Sequence, residues 1–203
     1  SMDAYGDFVG FTDDLDIHGE DGARFKKDVT SNLGGAAGET QEGLIFAACE
    51  ASNTAIVWST SIEATIALAE TSLRKAIGKK FTSMITGSTK YSTSPIDPAY
   101  VGFVSIDGAN IVKNTAGFIR VRNYGYSDGG LLPNEIGSID GIRVCETTLL
   151  GQKAGATPVE QMIVLAEEAV AEVGVRGMKK IETIIKELGS AGTADALNRN
   201  GAV

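Results

Sequence analysis

Residue types that can carry chemistry are sparse in this chain. His18 is its single histidine, so a site built from several imidazoles is excluded. It stands in an acidic stretch beside Gly19 and Glu20 and reads as an ordinary surface histidine rather than a general base. A serine–histidine–acid triad assembles in space and is not excluded by spacing, but no GxSxG nucleophile elbow supports one. Asp13, Asp14, Asp16, Glu20 and Asp21 form the densest acidic run. They offer hard oxygen ligands, yet the twelve-residue calcium-loop pattern is missing. Solvated charges near a helix N-terminus, where the helix dipole favours them, explain the run better. The stretch GSAGTAD at 189–195 lacks the Lys-Ser/Thr ending of a phosphate-binding loop, and no GxGxxG follows a strand. Cys49 and Cys145 lie far apart without metal-type spacing, so reduced, buried thiols made in a cytosol are the default. No catalytic, cofactor-binding or metal-binding residue is expected.

One further group mixes cations with aromatics: Arg120, Arg122, Tyr124 and Tyr126, as single-strand nucleic-acid binders do. Four such residues make a poor groove in a chain of net charge −8, because a negative surface repels phosphate backbones. An exposed subunit interface rich in Arg and Tyr is the better reading, with a plain surface loop an equal alternative.

The elements that must position these residues follow from patterning. With 203 residues, 43% of them apolar and 22% charged, the chain can bury a sizeable core as one domain or two small ones. Its 25 glycines against 4 prolines suggest tight turns and close backbone approach more than disorder. No apolar run approaches the roughly 18 residues of a spanning helix. No charged-then-apolar leader opens the chain, and Ser1-Met2 resembles a protease-cleavage scar.

Residues 4–17 read as a strand leading into a helix start. From Asp21, Phe25, Val29, Leu33, Ala36 or Ala37, Leu44, Ala47 and Ala51 keep one apolar stripe at helical spacing. Gly34, Gly35, Gly38 and Gly43 interrupt it, and pattern alone favours a break near Gly34-Gly35 over one long helix that lets a neighbour approach. Residues 53–59, with Ile56, Val57 and Trp58, read as a short strand or connector. Thr60 and Glu63 then form a capping box for a helix through Ile62, Ile66, Ala69, Leu73 and Ile77. A Glu70–Arg74 pair supports it, and Gly78 marks its end. Residues 86–98 form a Ser/Thr/Pro loop and a subdomain boundary. Residues 100–105 predict a buried strand, and Asp107 predicts the cap of a short helix over 109–113. Residues 117–131 suggest an exposed, ordered excursion, and 137–147 a turn followed by a strand. Strands are expected at MIVLA and VAEVGV, on either side of Glu167-Glu168. KKIETIIKEL at 179–188 suits a helix or a strand. Interleaved strands and helices predict an α+β protein rather than regular βαβ winding.

Three segments carry a resemblance: AYGDFVGFTDDLDIHGEDG at 4–22, LLPNEIGSIDGIRVCETT at 131–148 and IETIIKELGSAGTADALNRNGAV at 181–203. They resemble the major capsid proteins of tailed bacteriophages, in the N4-type podovirus branch that shares the Hong Kong 97-type fold. In that branch a strand reading roughly Tyr-Gly, then an acid pair, leads into a long spine helix. Asn134-Glu135-Ile136-Gly137 and Asp140-Gly141-Ile142-Arg143 match its Glu-Ile-Gly-x-Ile-x-Gly-x-Arg signature. Leu188 to Asp195 with Leu197-Asn198 match its near-terminal block. YVGFVSIDGANIV is similar to its strand-then-helix segment, although Ser105-Ile106-Asp107 stand where the family tends to have His-Pro-Asp. The ordered combination spans nearly the whole chain.

The resemblance implies a Hong Kong 97-like fold with a peripheral subdomain over 3–85, holding the spine helix and a second helix. An axial subdomain would cover 86–177, and a C-terminal strand segment, 178–203, would return to the peripheral part. It also implies one unbroken helix over 22–51 and a strand at KKIETIIKEL. The family's N-terminal arm, extended hairpin and further C-terminal chain have no counterpart here, so a trimmed fragment is expected. The implied function is that of a structural subunit of an icosahedral phage or prophage capsid, made in the bacterial cytoplasm and residing in the virion. Copies of itself would form pentamers and hexamers around double-stranded DNA, with scaffolding and portal proteins as further partners. Neither sequence-specific nucleic-acid binding nor a membrane is implied. The rival readings are a small hydrolase or nucleotide-binding enzyme using the glycine loops, and a minor virion decoration protein.

Overall fold

The computed structural model describes residues 5–12, 22–51, 55–56, 61–87, 92, 95–124, 131–151, 160–172, 184–186 and 200–202. The chain is a mixed α+β protein that divides into two compact units, residues 1–42 with 172–203 and residues 43–171.

In the first unit, β1 (Gly10–Thr12) pairs antiparallel with β7 (Asn200–Ala202), Phe11 facing Gly201. Lys186 exchanges two backbone hydrogen bonds with Ala202, of 2.7 and 3.0 Å. The ambiguous segment at 179–188 is therefore extended at this one described bridge, and most of it lies outside the described residues. Phe11 is buried, with the Lys26 ammonium 5.2 Å from its ring centroid, a cation–π contact.

Helix α1 (Gly22–Glu50) runs unbroken for 29 residues, about 44 Å at 1.5 Å per residue. The break favoured by pattern at Gly34-Gly35 does not occur. Each interior glycine costs about 1 kcal/mol against alanine, but helix propagation is cheap once nucleation is past. Among the described residues, a Cβ added at Gly34, Gly35, Gly38 or Gly43 would meet nothing within 4 Å.

The second unit is built on a five-stranded sheet of order β3-β4-β5-β2-β6. Its strands are β2 (Tyr100–Val104), β3 (Ile119–Arg120), β4 (Glu135–Ile139), β5 (Ile142–Glu146) and β6 (Met162–Leu165). β2 and β5 run parallel; every other neighbouring pair is antiparallel. Residues 137–147, read as a turn and one strand, are a hairpin. Asp140 and Gly141 both take positive φ, 43° and 72°, the Asp-Gly type I′ signature whose twist matches that of its flanking strands. The expected strand at MIVLA is β6, whereas residues 170–172 of VAEVGV have no regular structure.

Helix α2 (Ile62–Lys75) covers this sheet. Ile66 joins Tyr100, Val104, Val112, Ile139, Ile142 and Val144 in the main core, each such burial stabilising by about 1.5–3 kcal/mol. Its cap is not the Thr60–Glu63 box. Ser61 has the extended backbone of an N-cap, and its Oγ accepts from Ala64 N–H at 3.1 Å. Glu63 consequently falls in the first turn, where its charge meets the helix dipole. The helix ends with Ile77 N–H donating to Arg74 O and Gly78 N–H to Leu73 O, at 3.0 and 2.9 Å, a Schellman arrangement. Its left-handed residue is Ile77, at φ 59°, not Gly78. A Cβ on Gly78 would stand 3.0 Å from the Ala166 Cβ, so tight packing rather than left-handed backbone calls for glycine there. Arg74 does pair with Glu70, at 3.6 Å.

Helix α3 (Ile106–Lys113) follows β2 directly. Its N-cap is Ser105, accepting from Gly108 N–H, two residues ahead of the expected Asp107. Phe46, near the end of α1, meets Phe103 edge-on with ring centroids 5.6 Å apart. The Ser/Thr/Pro loop at 86–98 is pinched at its base, where Ile85 and Ile96 exchange two hydrogen bonds of 2.9 Å. No described helix is long and apolar enough to cross a membrane.

Candidate functional site

The densest buried polar arrangement among the described residues centres on Glu135. Its position follows from local backbone. Asn134, at φ 55°, turns the chain into β4, and its carbonyl accepts from Glu146 N–H at 3.0 Å. The β4–β5 register then shifts between Glu135 and Gly137, an irregularity of the kind that re-aims a side chain. Gly137 is needed at this spot. A Cβ there would come within 2.5 Å of the Ile119 carbonyl oxygen, and closer still to the Phe118 ring.

Both partners of the resulting ion pair are buried, with Arg143 and Glu135 side chains 2% and 1% exposed. Arg143 Nε donates to Glu135 Oε1 at 2.6 Å, and Arg143 Nη2 donates to Oε2. The Tyr124 hydroxyl donates to Oε1 at 2.6 Å, and Leu132 N–H donates to Oε2 at 2.9 Å. Four donors thus occupy the four acceptor sites of one carboxylate. A bidentate fork of this kind is about twice as strong as a neutral pair. Desolvation offsets much of the gain, yet losing one partner costs about 3–5 kcal/mol because the other is left as a bare buried charge.

These surroundings set the proton affinities. Burial first, then the hydrogen bond to Glu135 and that carboxylate's charge, push the Tyr124 phenol far above its ordinary range, with Arg143 pulling the other way. Burial works against the Arg143 charge, but the bond to Glu135 and its negative charge outweigh it and hold the guanidinium above its usual value. Cys145, opposite Glu135 in the ladder, is pushed up to about 11, chiefly by burial and secondarily by the Glu135 charge. Both cysteines are free thiols, and burial also raises Cys49.

The structure splits the Arg/Tyr quartet. Arg120 and Arg122 are exposed, and neither makes an ion pair among the described residues. Tyr124 is corrected from an exposed interface residue to a core one, at 1% exposure. Its ring lies with Ile85 and Ile96, flanked by Ile119 and Val121, while its hydroxyl reaches Glu135. The alternation Ile119, Arg120, Val121, Arg122 was the available signal, with apolar positions inward and cations outward. Tyr126, His18, the acidic run at 13–21 and the 189–195 loop lie outside the described residues.

Glu135 and Arg143 were visible as motif residues without a role. Here they are a structural clamp, since a carboxylate with every acceptor site taken has none left for a reacting proton. Elsewhere, the Ser105 hydroxyl donates to Glu160 and accepts from Gly108 N–H at 3.0 Å, which makes it a cap. Lys113 pairs with Glu146 at 3.1 Å. Gln161 Nε2 donates to Glu50 Oε1 at 2.6 Å and to the Gly151 carbonyl at 3.0 Å. Among the described residues no three His, Cys, Asp or Glu side chains gather as metal ligands. No protein-family model matches the sequence, and no curated protein matches it either.

Proposed function

We propose that this chain is a structural subunit of an icosahedral phage capsid with a Hong Kong 97-like fold, acting by repeated contact with copies of itself. The observation that carries the reading is α1. A helix running unbroken through Gly34 and Gly35 is what the resemblance to capsid proteins requires, and it is the opposite of what local pattern favours. The ordered motifs at 4–22, 131–148 and 181–203 support the same reading. So does a polar interior organised as clamps and caps, since a shell tile needs a rigid shape rather than a reacting centre.

Many weak, symmetric contacts suffice for such a shell, because closure raises the effective concentration of every remaining contact. A subunit of net charge −8 would hold packaged DNA only loosely, which suits a container that must release it. Electron microscopy of the protein expressed in bacteria tests this. Closed shells, or rings of five and six copies, are the expected products. A discrete monomer that never assembles at any concentration, or a saturable thermal shift with a nucleotide or divalent metal, would sink the reading.

A further inference from the structure

We infer that the Glu135 carboxylate is the lock on a separately opening part of the second unit. That part comprises residues 119–124, residues 131–133 and the Ile85–Ile96 bridge, and it can part from the sheet while the main core stays folded.

Three observations lead there. Among the described residues of the second unit, two separate clusters of buried apolar side chains are seen. The larger joins Ile66, Tyr100, Val104, Ile139, Ile142 and Val144; the smaller holds Ile85, Ile96 and Tyr124. The smaller cluster is tied to the sheet by little backbone, since β3 meets β4 at only two positions, Ile119 with Ser138 and Arg120 with Gly137. What spans the gap is polar. Tyr124 Oη–H and Leu132 N–H both end on Glu135, whose other donor, Arg143, stands on β5 in the middle of the sheet.

One carboxylate therefore gathers both ends of the chain that leaves at Tyr124 and returns by Leu132, and fastens them to a central strand. Regions with few buried apolar contacts open at lower free energy than the core they adjoin. A hydrogen bond to a charged group is the sort of tie that sets such an opening. The locked part carries the exposed Arg120 and Arg122, so the clamp also acts as a positioning device for two outward cations. The lock is a property of the fold and stands whether or not the protein builds shells.

Amide hydrogen exchange on the whole chain, read by mass spectrometry, tests it. In the unmodified protein, peptides covering 119–124 and 131–133 should exchange through an opening that leaves 100–104 and 142–146 protected. Tyr124→Phe removes one arm and keeps the ion pair. It should speed exchange in the first set about tenfold or more and leave the second within about twofold. Both sets exchanging together, or Tyr124→Phe leaving 119–124 unchanged, would overturn the inference. The paired variant Glu135→Leu/Arg143→Met removes the carboxylate without stranding a charge, and the same selective rise is expected. A uniform rise, or failure of the paired variant to fold, would mean that the pair holds the whole unit, and the lock would be refuted.

Discussion

The glycines of α1 and the glycines of the sheet sit in opposite circumstances. At Gly137 a single added carbon would run into the Ile119 carbonyl and the Phe118 ring, and at Gly102 into Met162 and Ile142. At Gly34, Gly35, Gly38 and Gly43 the same carbon would meet nothing. In the sheet, glycine is required by the packing of the chain on itself. In the helix it weakens the element by about 1 kcal/mol per position, and no contact among the described residues calls for it. Along the helix the described residues leave these positions open; on the shell reading proposed above, a neighbouring copy would cover them.

The comparison can be broken at several points. Arg143→Met should have the largest effect, a loss of about 4 kcal/mol in urea unfolding of the second unit, because Glu135 is left charged and buried. A loss below about 1 kcal/mol would mean that the sheet does not depend on its clamp. Gly137→Ala should cost about 3 kcal/mol through overpacking against the Ile119 carbonyl and the Phe118 ring; a neutral outcome would remove the contrast with α1.

High pH should weaken the sheet unit next. Cys145 is raised from 9.0 to about 11 in the folded state, so folding holds its proton. Its contribution is fully present below about pH 9 and is lost as pH climbs toward 11, at about 1.4 kcal/mol per pH unit. Tyr124, also raised, adds its own loss above pH 10. Unfolding midpoints between pH 8 and 11 should fall, and Cys145→Ala should flatten the lower part of that slope; an unchanged slope would assign the loss elsewhere. The smallest effect carries the opposite sign. Gly34→Ala and Gly35→Ala should each stabilise the isolated chain by about 1 kcal/mol, measured by thermal unfolding followed at 222 nm, roughly the helix band. Destabilisation would mean that the helix has a close neighbour within its own chain.

The strongest local patterns were readable in advance. The Ile62–Ile66–Leu73 stripe placed α2, the apolar run at 100–105 placed β2, and Glu70 met Arg74 as their i,i+4 spacing demands. Caps were less legible. Ser61 and Ser105 displaced Thr60 and Asp107 because a cap is chosen by which residue takes the extended backbone, and neighbouring hydroxyls and carboxylates offer the same chemistry. Tyr124 looked exposed because it sits among arginines and glycines. Its burial depends on Ile85 and Ile96, about thirty to forty residues away, which no local window holds.

By itself, the order of apolar and polar residues determined that this chain is α+β and where its second helix and the strand at 100–104 lie. Periodicity records which face of an element avoids water, and that requires no knowledge of its partner. Local pattern favoured a break in α1 that only the resemblance argued against, and only the tertiary structure decided that Ile77 rather than Gly78 takes the left-handed turn and that Arg143 and Tyr124 meet on the Glu135 carboxylate. Those outcomes depend on atoms brought together from distant segments, where a free energy of a few kcal/mol overrides local preference.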